Sequence, residues 1–168
     1  MASRSAPRRL SHVGAKGGAR MVDVSAKPVT LREAVASGRI RIAPAAMRLV
    51  RAGQLAKGAV EEVARLAGIL AAKRTSDAIP LCHPLLLQHV EVRLLPRRDG
   101  YRIEAAVRTE GRTGAEMEAL HAVAVAALAV YDMVKAADKR MVVGEIRLER
   151  KLGGRSGGFR RASRRLRR

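Results

Sequence analysis

The longest hydrophobic pattern in the chain runs from Gly111 to Lys139, GRTGAEMEALHAVAVAALAVYDMVKAADK. Ala and Leu dominate, no Pro interrupts, and Gly111 and Gly114 fall only at the entry, so the stretch predicts one long helix. Between Ala119 and Val130 the sole polar side chain is His121. An apolar run without a polar face predicts burial on every side, and at about twelve residues this middle is too short to span a bilayer. Candidate chemistry is confined to the tips. Glu116, Met117 and Glu118 stand at the front; Asp132 and Lys135, three apart and so on one face, stand at the back. Glu116 and Asp132 are separated by roughly 24 Å at 1.5 Å per residue. One small-ligand pocket can hardly hold both tips of one copy. Either a single tip is functional, or a pocket takes the front of one helix and the back of a symmetry mate's, as an antiparallel pair about a two-fold axis would allow. The Ala- and Val-rich middle lets two such helices approach closely.

The remaining pattern is read in chain order. Met21 to Val24 predicts a short strand. Thr30-Leu31-Arg32-Glu33 fits a capping box, but Val29, Leu31 and Val35 alternate as in a strand, and the strand reading through Ile42 is preferred. Pro44 opens a helix over Ala45 to Arg51, and Gly53 breaks it. Ala59 to Arg74 carries an apolar stripe of Val60, Val63, Ala64, Ala67 and Leu70. Ile79 to Pro84, bracketed by prolines, predicts an extended segment. Leu85 to Leu95 and Tyr101 to Thr109 alternate as two strands of a hairpin turned at Asp99-Gly100. A last strand covers Val142 to Arg150, followed by a Gly-rich stretch to Gly158. No repeat or second domain is evident. The fold class is therefore α+β: a single domain with a mostly antiparallel sheet backed by helices.

Composition refines this picture. The chain has 168 residues, 48% hydrophobic but only 2% aromatic. Aliphatic packing carries the core, and base stacking on aromatic platforms is nearly excluded. The lone cysteine, Cys82, excludes an internal disulfide and suits a reducing, cytoplasmic setting. Residues 1–10 hold three Arg and residues 160–168 six, with no acid in either; removing those nine charges from the net +19 leaves +10. Such runs predict disordered tails, while the remainder still points to an anionic partner. Arg8-Arg9 lies in a Ser- and Ala-containing basic start, but no hydrophobic segment follows, which argues against secretion.

Each candidate site has a bland counterpart. Cys82 and His83, adjacent in an extended segment, point to opposite faces, and neither CxxC nor HxxxH accompanies them, so a zinc site is disfavoured; Cys82 reads as a small buried residue. The Gly-rich stretch around Arg155, with Lys151 beside it, resembles a phosphate cradle but lacks GxxxxGK[ST]. Glu116 and Glu118 suit a helix start through the macrodipole alone. Asp132 and Lys135 read equally as an exposed pair, and Lys57 as a lone cation.

The motifs MVDVSAK (21–27), AKRTSDAIPLCHPL (72–85), TGAEMEAL (113–120), YDMVKA (131–136) and K-x-GG-x-SG (151–157) together resemble the cyclic pyranopterin monophosphate synthase family. Five motifs in order, from about Leu10 to Phe159, make the resemblance specific, and both arginine tails fall outside a family domain set at 11–159. It implies a ferredoxin-like fold and a homohexamer built as a trimer of dimers, with active sites at a subunit interface. It implies a lyase of molybdenum cofactor (molybdopterin) biosynthesis that converts (8S)-3′,8-cyclo-7,8-dihydroguanosine 5′-triphosphate to cyclic pyranopterin monophosphate and diphosphate. By the same resemblance Asp132, Lys135 and Lys57 are catalytic. Leu81, Cys82, His83, Glu116, Met117, Glu118, Arg32, Lys73 and Lys151 bind substrate. No protein-held metal or cofactor is implied, at most a magnesium ion riding on the triphosphate. Ser76 and Arg155 depart from the family pattern, and Arg keeps the charge of the usual Lys but not its shape. The competing readings are a basic nucleic-acid-binding module, resting on charge alone, and a non-catalytic assembly partner.

Overall fold

The computed structural model describes residues 17–55, 57–154 and 157–162. The expectations for the basic segment 1–10, for Arg155 and for residues 163–168 lie outside the described residues. Strand β1 (Thr30–Arg41) is followed by α1 (Pro44–Arg51), α2 (Val60–Lys73) and the single turn α3 (Thr75–Ala78). The hairpin β2 (Leu87–Arg97) and β3 (Gly100–Gly111) leads into α4 (Glu116–Val134), then β4 (Val142–Leu152) and β5 (Phe159–Arg160). The sheet order is β2-β3-β1-β4-β5 with every pairing antiparallel. A βαββαβ succession whose sheet runs β4-β1-β3-β2, both long helices on one face, is the ferredoxin-like arrangement.

Alternation along the strands explains this layering. Ala34, Ala36 and Ile40 of β1 and Ile103, Ala105 and Val107 of β3 are buried under the helices, while Glu33, Arg39, Arg102 and Arg108 point away from them. Helix α4 crosses β1, β3 and β4, and α2 packs on α4 and β2. The two helices approach so closely that a Cβ on Gly68 would sit 2.9 Å from the carbonyl oxygen of Ala122. By length and composition α4 qualifies as a membrane span, yet it is the central helix of this packed layer.

The departures have local causes. The long helix starts at Glu116 and ends at Val134 rather than running from Gly111 to Lys139, because Gly111 still belongs to β3 and pairs with Thr30. Its burial is not all-round either: Leu128 is 58% exposed and Met117 38%. Those residues share a stripe that no other element among the described residues covers. Met21 to Val24 is not a strand; the segment turns, with the Ser25 amide donating to Asp23 Oδ1 at 2.8 Å and the Lys27 amide to the Val24 carbonyl at 2.9 Å. Ile79 to Leu81 is likewise a turn, closed by the Cys82 amide on the Ile79 carbonyl at 3.0 Å. The β2–β3 turn centres on Arg98-Asp99, one residue before the expected pair. Gly100 already lies in β3, where a Cβ would fall 2.0 Å from the Ile40 carbonyl oxygen. The short β5, which sequence periodicity did not foresee, folds back on Arg150 and Lys151.

Candidate active site

A cavity of about 870 Å³ opens where the start of α4, the end of β4 and the turns at 22–27 and 79–83 meet. Leu81, Cys82, His83, Arg32, Glu116, Met117, Glu118 and Lys151 all line it. Cys82 and His83 both line this cavity, following a turn at 79–81 where extended backbone was expected. Asp23, Lys27 and Arg112 also line the cavity. Lys27 stands inside the MVDVSAK motif, so its signal was present as motif membership without a role, while Arg112 falls one residue before TGAEMEAL and had no such signal.

Arg32 is buried, and its Nε donates to the Gly111 carbonyl at 3.3 Å. Its guanidinium occupies the space that side chains at 153 and 154 would fill. A Cβ on Gly154 would lie 2.1 Å from Arg32 Nη1, and one on Gly153 2.3 Å from the Leu31 carbonyl oxygen. Both glycines have φ near +85°, a region L side chains rarely adopt. The paired glycines thus make room for an arginine beside the cavity. Lys151 Nζ pairs with Glu116 Oε1 at 2.9 Å, and the Glu116 carboxylate folds back over Gly114.

Glu118 is 4% exposed. Burial, reinforced by the neighbouring Glu116 charge, pushes its carboxyl up to about 7, against an opposing backbone hydrogen bond. A carboxyl in that range exchanges protons near neutral pH. The Cys82 thiol is also raised, by burial first and then by Glu118, so it is a poor nucleophile here.

The other end of α4 is built differently. Asp132 is exposed, and Lys57 Nζ reaches its Oδ2 at 2.5 Å while Lys135 Nζ reaches Oδ1 at 2.7 Å. Lys57 also donates to the Asp132 carbonyl at 3.1 Å. Hydrogen bonds from Lys135 and then Lys57 bring the Asp132 carboxyl down to about 2, and Asp132 in turn raises Lys135. The structure therefore brings the predicted residues together in two sets, one per tip of α4. Within one chain it does not unite them. Lys73 joins neither: it is exposed in the last turn of α2, at the front end of α4, where Thr75 Oγ1 lies 3.3 Å from His121 Nδ1. Ser76 sits in α3, between Lys73 and the cavity turn. Among the described residues, no three His, Cys, Asp or Glu side chains are grouped to hold a metal ion.

Comparison with known proteins bears on both sets. Residues 21–154, which contain every lining residue and both tips of α4, match the MoaC family model. Cyclic pyranopterin monophosphate synthase from Parvibaculum lavamentivorans is 54% identical over 156 residues, 92% of this chain and 98% of that protein. The protein of the same name from Roseiflexus sp. is 59% identical over 152 residues, 89% and 96% of the two chains. Cyclic pyranopterin monophosphate synthase 1 of Mycobacterium bovis is 55% identical over 155 residues, 92% and 91%. A match this long and this even, over a fold whose buried glycines and charged tips are those of the motifs, means that the chain belongs to the MoaC family.

Proposed function

We propose that the chain is a cyclic pyranopterin monophosphate synthase, a lyase acting on (8S)-3′,8-cyclo-7,8-dihydroguanosine 5′-triphosphate in molybdenum cofactor biosynthesis, and that each active site joins the front of one α4 to the back of another. The observation that carries the composite site is the division of the charged residues between tips roughly 24 Å apart on one helix. Between the tips runs uncovered apolar surface: Val63, Leu66 and Leu70 on α2, with Leu128 and Met117 on α4. A second copy laid antiparallel on that surface buries it and brings Asp132, Lys135 and Lys57 of one chain to the Glu118 cavity of the other. Such dimers assemble further into a hexamer, a trimer of dimers.

The chemistry follows from the residue types. Closing a cyclic phosphate requires a sugar hydroxyl oxygen to bond to the α-phosphorus as the bridge to the β-phosphate breaks. The hydroxyl proton leaves, and diphosphate departs with its negative charge. Arg32, Lys27, Arg112 and Lys151 supply the cationic field for the triphosphate and its leaving group, with His83 as a hydrogen-bonding side chain beside them and Lys73 at the rim. The ring rearrangement needs protons moved at carbon and nitrogen. Glu118, titrating near 7, holds or takes a proton at working pH. Asp132 stays ionised and fixes two ammonium groups, one of which donates. Two carboxyls with affinities pushed apart divide the acid and base work in this way. Leu81, Met117 and Cys82 give the cavity its apolar wall, and Glu116 faces the purine edge. The chain carries no resident cofactor; magnesium enters as the counter-ion of the triphosphate. The setting is cytoplasmic, and nucleic acid is bound only non-specifically through the basic tails.

The test is turnover by the purified chain alone. It should convert the cyclised nucleotide to cyclic pyranopterin monophosphate with one diphosphate released per turnover, and it should keep doing so after residues 1–10 and 160–168 are removed. Binding of DNA without turnover would favour the nucleic-acid module instead.

A further inference from the structure

On the sheet face away from the helices lies a second cavity, of about 400 Å³, between the end of β1, the β2–β3 turn and the start of β4. We propose that it is a second anion site, taking a small, multiply charged oxyanion such as diphosphate or a phosphate ester. Arg39, Arg97, Arg98, Arg102 and Arg147 line it, against the carboxylates of Asp99 and Glu145.

The ion pairs sort these arginines into two kinds. Three are held in place. Arg39 Nη2 donates to Asp99 at 2.7 and 2.9 Å. Arg147 Nε donates to Glu149 Oε1 at 2.9 Å, and Arg102 Nε stands 2.9 Å from Glu104 Oε1. Glu149 is fixed from the other side by the Ser37 hydroxyl at 2.5 Å. Arg97 and Arg98 are of the other kind. Both are exposed in the turn region, and among the described residues no carboxylate pairs with either. Arg97 Nη1 reaches only the neighbouring Pro96 carbonyl, at 3.3 Å. Two guanidiniums without a carboxylate partner, beside two held by hydrogen bonds and Arg102 held by charge contact with an Nε that lacks a hydrogen bond, form a donor array for oxyanions.

The backbone is shaped around the same spot. The β1–β4 register shifts between Ser37 and Arg39, and Glu145, opposite that shift, has φ of 55°. A β-bulge re-aims side chains, and a non-glycine residue in the left-handed region is strained. Here the irregularity turns Arg39, Arg147 and Glu145 toward one cavity. The site is separate from the first. Arg32 and Arg39 point to opposite faces of β1 and are roughly 23 Å apart at 3.3 Å per residue.

Titration calorimetry of the full chain with inorganic diphosphate tests this. The wild type should bind two diphosphates per chain. The exposed double variant R97A/R98A should bind one, or show the second weakened by roughly tenfold or more through loss of charge-assisted contacts, with turnover unchanged within about twofold. R32A should lose the other site and keep this one. A wild type that binds one diphosphate per chain, lost in R32A and kept in R97A/R98A, would overturn the proposal. So would a double variant that still binds two with unchanged affinity.

Discussion

The two tips of α4 carry acids of opposite character. At the front, Glu118 is buried and protonates near neutrality; at the back, Asp132 is exposed and clamped in its charged form by two lysines. The same residue class has been given two roles by environment alone: desolvation on one side, cation pairing on the other. In the proposed composite site each tip supplies one half of the acid–base pair. The helix that holds them apart also carries the uncovered stripe through which a second copy can unite them.

The largest effect should come from removing the clamped acid. D132A is expected to cut kcat by about a thousand-fold, within the range for loss of a positioned acid–base group. Asp132 is exposed and pairs only with surface lysines, so its circular dichroism spectrum and melting temperature at pH 7 should stay close to wild type. Near-wild-type turnover by a folded variant would remove Asp132 from the chemistry. Comparable in size is the stripe. L66D or L128D should dissociate the oligomer by light scattering and abolish turnover while the fold survives, since both side chains are more than half exposed in the single chain. An active monomer would break the idea of a shared site.

Glu118 gives a sharper contrast through pH. Its folded value of about 7 lies above the ordinary 4.5, so burying the ionised form costs stability progressively as pH rises from the unfolded value through 7. E118Q should therefore match the wild type near pH 4 and exceed it at pH 8, by at most about 3 kcal/mol. It should also flatten the limb of the kcat profile near pH 7. Asp132 has the reverse sign. Its depressed value makes its contribution present above 3.8 and lost as pH falls towards 2. The smallest expected effect is thus a slight extra acid sensitivity of the wild type relative to D132N below pH 4, read by thermal melts.

Much of this was legible in the sequence where local pattern and tertiary fate agree. Strand alternation and the apolar run after Glu116 were sufficient for an antiparallel sheet backed by helices, and counting residues along that run separated the tips; the ferredoxin-like strand order came only with the family resemblance. What failed depended on long-range packing. Met21 to Val24 alternates like a strand, but no sheet edge accepts it, and it turns over the cavity instead. That is why Asp23 and Lys27 were not singled out as lining residues. The turn at 79–81 was likewise hidden, because the flanking prolines point to extended backbone. The all-round burial expected of α4 fails in one chain because periodicity cannot tell a face covered by its own sheet from one that the chain leaves exposed. The arginines of the outer cavity come from three distant segments, so no spacing rule assembles them.

The central claim, a site shared between chains, is tested most directly by mixing two inactive proteins. E118A and D132A, dissociated and reassembled together, should form mixed dimers in half of the population. In each mixed dimer one site has both tips intact and the other has neither, so about a quarter of wild-type activity should return. Activity no higher than that of either parent, with mixed dimers shown to be present, would contradict it.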